Sequence, residues 1–277
     1  MMSLLGTHPE IAEALGDAIT LAREAGALIQ TVRSEGFDTE RKADNSPVTR
    51  ADTGADRLIR EGLAKLYPED GILSEEHGTP PEGTSGRTWV IDPLDGTRGF
   101  ISGSEEFAVQ IGMLVGEKAV LGVVYEPAVD RLYWGAEGMG TYLVMRGGTT
   151  YPARLSPRGS FSEMRMVTSH SIPEERRQEF MSALGCQDGG SYHSVGVKIG
   201  RILRGECDIY WSGHKVSYWD SCAPLVILEQ AGGVLTSIDG APYTYDLNVE
   251  RFEHSTSFVA TAGSAHEQVC EKLRTAI

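Results

Sequence analysis

The segment WVIDPLDGT, residues 89–97, joins an apolar run to a short stretch rich in acidic and hydroxyl groups. The apolar residues at its start are typical of a strand in the interior of a sheet. Pro93 fixes its own φ angle and lacks a backbone donor, while Gly96 leaves the backbone free to turn. The segment therefore predicts a buried strand that ends in a turn, with two aspartates and a threonine at the rim of a sheet.

Acidic residues stand at similar positions in two other parts of the chain. Glu75 and Glu76 end the apolar run GILSEE, and Asp220 begins a predicted helix. Elements that end or begin in acids can bring carboxylates together at one edge of a sheet, and such oxygen ligands suit a hard cation such as Mg2+. Taken alone, D-x-x-D-G-T is as compatible with a capped turn, but the accompanying acids favour a cation site.

The pattern of apolar residues divides the chain into two parts. Residues 1–152 predict a long amphipathic helix, a second helix that Pro68 stops, and a mostly antiparallel sheet. Asp52 falls at the start of that second helix, where the helix dipole alone would explain an acid. Residues 153–277 alternate strands and helices. We therefore predict an N-terminal α+β domain with most of the metal ligands and a C-terminal α/β domain that carries Asp220 and the substrate contacts.

Composition excludes several classes of protein. The 277 residues include 39 acidic and 25 basic side chains, a formal net charge of −14, which argues against a surface that binds nucleic acid. No apolar run approaches the roughly 18 residues of a membrane-spanning helix, and the first residues lack the pattern of a secretory signal. The four cysteines are far apart in the sequence and form no C-x-x-C pair. We therefore expect reduced thiols and a cytoplasmic protein.

Several residues near these motifs are interpreted without a functional role. Glu76 either supports the metal ligands from behind or is a solvated neighbour of the acidic site, and the second interpretation is favoured. His77, His193 and His214 lack the spacing of metal ligands, so solvated or loop positions are expected for them. Trp219 is expected in the apolar core.

Three motifs, in this order, make the chain resemble the inositol monophosphatase superfamily of Mg2+-dependent, lithium-sensitive phosphatases. They are SEE at 74–76, WVIDPLDGT at 89–97 and WDSCAPLVILEQAGG at 219–233. The resemblance implies a layered αβαβα sandwich of mixed α+β and α/β character. It also implies that two or three Mg2+ ions act on a small phosphorylated substrate.

The resemblance assigns roles residue by residue. It implies that the metal ligands are Glu75, Asp92, the Leu94 carbonyl, Asp95 and Asp220. It implies that Asp52 and Thr97 orient and deprotonate the attacking water. The implied substrate contacts are Thr97, His170, Ser194, Lys198 and Asp220. Many relatives have Gly in place of Ser194, and a lysine such as Lys198 on an apolar helix face is ordinarily solvated.

Within the superfamily, the chain is most similar to the 3′(2′),5′-bisphosphate nucleotidases of sulfur metabolism, which remove the 3′-phosphate of adenosine 3′,5′-bisphosphate. The segments that carry this likeness include KADNSPVTRAD at 42–52, DGTRGF at 95–100, TSHS at 168–171 and SVGVK at 194–198. EEHG at 75–78 and GFISG at 99–103 are also typical of histidinol-phosphate phosphatases. The motifs are compatible as well with a phosphatase of inositol phosphate or fructose bisphosphate, or with a catalytically silent binding protein. The chain is expected to be a monomer or a homodimer.

Overall fold

The structure is a computed structural model that describes residues 9–42, 44–78, 81–156, 158–263 and 265–276. The helices in this part of the chain are α1 (Pro9–Glu35), α2 (Arg50–Leu66), α3 (Thr97–Ile101), α4 (Glu174–Leu184), α5 (Val195–Leu203), α6 (Tyr218–Glu229) and α7 (His266–Ala276). The strands are β1 (Thr39–Arg41), β2 (Pro47–Thr49), β3 (Gly71–Ser74), β4 (Arg87–Asp95), β5 (Ala108–Val115), β6 (Lys118–Glu126), β7 (Arg131–Ala136), β8 (Gly140–Val144), β9 (Thr150–Ala153), β10 (Arg165–Ser169), β11 (Gln187–Tyr192), β12 (Ile209–Trp211), β13 (Val234–Ser237) and β14 (Phe258–Thr261).

The strands form two large mixed sheets and one short hairpin. The first sheet has the order β3-β4-β5-β6-β7-β8-β9, with β3 and β4 parallel and the later neighbours antiparallel. The second has the order β11-β10-β12-β14-β13, in which β10 is parallel to both of its neighbours. Strands β1 and β2 form an antiparallel hairpin, which the polar sequence of this segment did not predict.

Helices occupy three layers around these sheets. Helices α1 and α2 pack on one face of the first sheet, α5 and α6 lie between the sheets, and α4 and α7 cover the outer face of the second sheet. This order confirms the predicted αβαβα sandwich. Strand β9 ends at the predicted domain boundary. However, α6 from the predicted C-terminal domain packs against the first sheet, and both sheets contribute to the apolar layer between them. The division into two domains therefore stays a prediction.

A glycine lets α6 approach the first sheet closely. A Cβ atom on Gly122 of β6 would lie 2.4 Å from the Ala223 carbonyl oxygen of α6, so a larger residue would push the helix outward. Helix α6 begins at Tyr218, two residues before its predicted start, which makes Asp220 its third residue. The close packing therefore fixes Asp220 against the sheet that carries the WVIDPLDGT strand.

Two expectations from composition concern membranes and disulfides. Among the helices that the structure describes, none combines the length and the apolar character that crossing a bilayer requires. All four cysteines are free thiols, as predicted, and three of them are buried.

Candidate active site

A bulge in β4 turns two aspartates toward the same side of the first sheet. Asp92 pairs with Gln110 and Asp95 with Ala108, so β4 carries one extra residue between the aspartates. In a regular strand, a spacing of three would place the two side chains on opposite faces. The bulge lies at Pro93, which has no backbone donor to offer the ladder. Both carboxylates therefore face the helix layer between the sheets.

Helix α6 supplies a third carboxylate to the same place. Asp220 Oδ2 accepts a hydrogen bond of 2.9 Å from the backbone N–H of Ser217, the residue that caps the helix, and this bond orients the side chain. Carboxylate oxygens of Asp92, Asp95 and Asp220 all lie within 4.8 Å of one another. Segments far apart in the sequence thus converge as the positions of the acids predicted.

Burial and mutual repulsion make these carboxylates hard to ionise without a cation. Burial raises the pKa of Asp92 well above its ordinary value, and Glu75, Asp95 and Asp220 raise it further. Burial, followed by the charges of Asp95 and Glu75, raises the pKa of Asp220 to about 8. A hard divalent cation would relieve the repulsion, and carboxylate and carbonyl oxygens are the ligands that it prefers. The donor set therefore fits a metal centre of the kind predicted from the sequence.

The N-terminus of α5 holds Asp95 in position. Ser194 Oγ donates to Asp95 Oδ2 over 2.5 Å. The backbone N–H groups of Gly196 and Val195 donate to the same carboxylate over 2.7 and 3.1 Å. Burial raises the pKa of Asp95, and these hydrogen bonds oppose the rise. Ser194 is fully buried, so this placement does not support its predicted contact with substrate: its hydroxyl faces a carboxylate instead.

Asp52 and Thr97 meet beside these acids. Thr97 Oγ1 donates to Asp52 Oδ1 over 2.9 Å and lies 3.1 Å from the Leu94 carbonyl oxygen. Asp52 Oδ2 accepts from the backbone N–H and the hydroxyl of Thr49, which caps α2. Burial raises the pKa of Asp52 against the lowering effect of these bonds. The structure brings the predicted pair into contact, and their role in deprotonating water stays a prediction.

A lysine outside the predicted site residues pairs with two acids at the site. Lys42 Nζ lies 2.9 Å from Glu75 Oε1 and 2.6 Å from Glu76 Oε1. Only 7% of the Glu76 side-chain surface is exposed, so its interpretation as a solvated neighbour is wrong. Burial raises the pKa of Glu76 to about 7, although the bond to Lys42 opposes this. The sequence pattern does not predict either contact, because Lys42 is more than thirty residues away from the two glutamates.

Most of the predicted site residues line one cavity of about 820 Å3, a volume typical of small-molecule sites. Those on its wall are Glu75, Asp92, Leu94, Asp95, Thr97, His170, Lys198 and Asp220. Asp52 and Ser194 are buried. Trp219, which was expected in the core, is only partly buried and lines this cavity.

Lys198 is buried rather than solvated. Its Nζ donates to Ser169 Oγ and to the carbonyl oxygens of Tyr192 and His193, over 3.0, 3.0 and 3.3 Å. Burial lowers its pKa to about 8, while Asp95 and other acids oppose the change. All three of its donors are therefore directed at protein acceptors, and direct contact with substrate stays a prediction.

The chain is similar in sequence and structure to several characterised proteins. It matches the sequence model of the inositol monophosphatase family over residues 11–277. It is 32% identical over 235 residues to the Escherichia coli (strain K12) 3′(2′),5′-bisphosphate nucleotidase CysQ, covering 83% of this chain and 93% of that protein. It is 30% identical over 261 residues to the Mycobacterium tuberculosis histidinol-phosphatase, covering 92% of this chain and 96% of that protein. The structure of an inositol monophosphatase from Anabaena superposes with a TM-score of 0.75 at 27% identity, covering 95% of this chain and 96% of that one.

Proposed function

The chain belongs to the inositol monophosphatase family of phosphatases, and from this membership we propose that it is a Mg2+-dependent phosphomonoesterase that removes the 3′-phosphate of adenosine 3′,5′-bisphosphate. The observation that carries the proposal is the convergence of Asp92, Asp95 and Asp220 beside the Thr97–Asp52 pair in one cavity. The four free cysteines support a location in the reducing cytoplasm.

The acids at the site have separate tasks in this proposal. Two or three Mg2+ ions would be held by Glu75, Asp92, the Leu94 carbonyl, Asp95 and Asp220. When bound, such ions stabilise negative charge on the entering and leaving oxygens of a transferred phosphoryl group. These five residues supply oxygen donors from three separate segments of the chain.

The Thr97 hydroxyl would accept a proton from the attacking water as it passes its own proton to Asp52 Oδ1. The 2.9 Å hydrogen bond between the two residues already points in this direction. Burial raises the pKa of Asp52, which makes its carboxylate a better proton acceptor than an exposed aspartate. General-base assistance of this kind contributes about 10²–10⁴-fold to the rate.

The charges on the cavity wall support a substrate with a second anionic group. Arg98 and Arg251 line the cavity, and within the described residues neither guanidinium group takes part in a hydrogen bond or ion pair. Lys42 and Lys198, by contrast, are already bonded to protein acceptors. Free guanidinium groups bind phosphate through two parallel hydrogen bonds. A bisphosphate substrate would therefore find partners for both phosphates in this cavity.

The second candidate is a histidinol-phosphatase. It is favoured by the 30% identity to the Mycobacterium tuberculosis enzyme, which extends over more of this chain than the similarity to the Escherichia coli nucleotidase does. The fold is shared by both activities and does not choose between them.

Phosphate release from a panel of substrates tests the proposal. The panel contains adenosine 3′,5′-bisphosphate, histidinol phosphate, inositol 1-phosphate and fructose 1,6-bisphosphate, each with Mg2+ and with or without Li+. We expect the highest kcat/KM for adenosine 3′,5′-bisphosphate, and inhibition by Li+. A higher kcat/KM for histidinol phosphate would select the second candidate, and no phosphate release from any compound would overturn the phosphatase assignment.

A further inference from the structure

A second group of side chains that could hold a metal ion lies beside the cavity, apart from Asp92, Asp95 and Asp220. Glu106, His170 and His193 each present one ligand atom, and these atoms lie within 4.8 Å of one another. Glu106 lies just before β5, His170 just after β10 and His193 just after β11. Because three separate segments meet here, no local spacing predicted the cluster.

One distance within this cluster matches the spacing of two ligands on a small divalent ion. His170 Nε2 lies 3.4 Å from Glu106 Oε2. Two ligand atoms at about 2.0–2.1 Å from a tetrahedral Zn2+ ion are about 3.4 Å apart. The rings of His170 and His193 have centroids 4.2 Å apart and an interplanar angle of 41°. Both imidazoles are therefore close enough to share one ion with the carboxylate.

Hydrogen bonds already orient two of the three ligands. Ser191 Oγ lies 3.1 Å from His170 Nδ1, which leaves Nε2 of that ring facing Glu106. The backbone N–H of His193 donates to Glu106 Oε2 over 3.1 Å. Burial, followed by the neighbouring His170, lowers the pKa of His193, which favours the neutral imidazole that a metal ligand requires. Partners of this kind fix the tautomer and ring orientation of metal-ligating histidines.

The chemistry of the ligands separates this cluster from the carboxylate centre. Mg2+ prefers oxygen ligands, whereas imidazole nitrogens favour Zn2+, Ni2+, Co2+ and Cu2+. We propose that Glu106, His170 and His193 form a distinct site for a divalent transition-metal ion, with Zn2+ as the best fit. His170 and His193 line the cavity, so an ion held by them would lie close to the space that substrate enters. Three protein ligands with one open position allow the ion to bind an anion or water there.

Calorimetric titration of the whole protein with Zn2+, in millimolar Mg2+ and without substrate, tests the site. Millimolar Mg2+ competes with Zn2+ for the carboxylate centre, and we expect one Zn2+ per chain to bind in a way that depends on the two histidines. His170→Gln and His193→Gln should each weaken that binding at least about 10-fold. His214→Gln is the matched control, because His214 lines the same cavity outside the cluster. It should leave the affinity for Zn2+ unchanged.

Co2+ provides an independent spectroscopic readout. Visible absorption of the Co2+-loaded protein should show nitrogen coordination that is lost in His170→Gln and His193→Gln, and thermal melts of the metal-free variants verify that they fold. The proposal is overturned if no Zn2+ binds in excess Mg2+, or if both variants bind Zn2+ as tightly as the unmodified protein. None of these readouts depends on which phosphorylated substrate the enzyme hydrolyses.

Discussion

Substitution of Thr97 by valine removes one hydroxyl group from the candidate active site and keeps the branched shape of the side chain. That hydroxyl donates to Asp52 Oδ1 over 2.9 Å and lies 3.1 Å from the Leu94 carbonyl oxygen. If it transfers the proton of the attacking water, we expect Thr97→Val to lower kcat by about 10²–10⁴-fold, the usual contribution of general-base assistance.

The structure also limits the effect of this substitution on folding. Asp52 loses one hydrogen bond and keeps both bonds from Thr49 to its other oxygen. A hydrogen bond to a charged group contributes about 1.5–3 kcal/mol, and water can replace the donor because Thr97 is only half-buried. We therefore expect the free energy of unfolding to fall by no more than about 2 kcal/mol, a loss that denaturant unfolding would measure.

Phosphate release at saturating substrate and Mg2+ measures kcat, and calorimetry measures the affinity for Mg2+. Thr97→Ser is the matched control because it keeps the hydroxyl, and its kcat should stay within about tenfold of the unmodified protein. A kcat of Thr97→Val within tenfold of that of Thr97→Ser would refute the proton-transfer role. A loss of Mg2+ affinity in Thr97→Val would show that the residue acts on the metal centre instead.

The charges at the site lead to three further predictions. Asp95→Asn should abolish turnover, because it removes a proposed metal ligand; unchanged affinity for Mg2+ in calorimetry would contradict that role. The substitution should also lower the free energy of unfolding by about 1–3 kcal/mol, because an amide nitrogen in place of Oδ2 would face the Gly196 N–H. The metal-free protein should melt at a lower temperature at pH 8 than at pH 5. The pKa of Asp220 is about 8 in the folded protein and lower in the unfolded chain, so between these values the folded state holds a proton that the unfolded state has lost, and raising the pH favours unfolding; a melting temperature that does not change with pH would contradict this. Arg251→Gln should raise KM for adenosine 3′,5′-bisphosphate about tenfold more than KM for adenosine 3′-phosphate, since a charged hydrogen bond contributes about 1.5–3 kcal/mol. The control Arg57→Gln, at an exposed arginine, should change neither KM. Equal effects of Arg251→Gln on the two substrates would refute its contact with the second phosphate.

The convergence of the acids was predictable because each one lies near the start or the end of an element with a strong local signal. An apolar run followed by Pro93 and Gly96 predicts a strand end and a turn, and the observed bulge lies between Asp92 and Asp95. The alternation of strands and helices predicted the mixed α+β and α/β character, whereas the layered αβαβα order came from the resemblance to the family. Local pattern is sufficient here because the acids sit where elements start and stop.

Other parts of the site depend on packing between distant segments, which local pattern does not encode. Glu76 and Lys198 carry charges that favour solvent, yet each is buried against partners that come from elsewhere in the chain. Glu106 and His193 meet because the segment before β5 and the segment after β11 lie side by side in the folded chain. Burial of a charged side chain is a property of the assembled layers, so a single sequence gives little warning of it.

Two of the acids at the site are also the third residue of a helix. Asp52 Oδ2 accepts the N–H of Thr49, and Asp220 Oδ2 accepts the N–H of Ser217. The helix cap therefore engages one oxygen of each carboxylate, while the other oxygen of Asp52 accepts the Thr97 hydroxyl and the other oxygen of Asp220 is not used by the cap. Helical geometry rotates successive side chains by about 100° per residue. Deleting a single residue between the cap and the acid would thus turn this second oxygen in another direction, so the three-residue spacing from cap to acid determines where each carboxylate points.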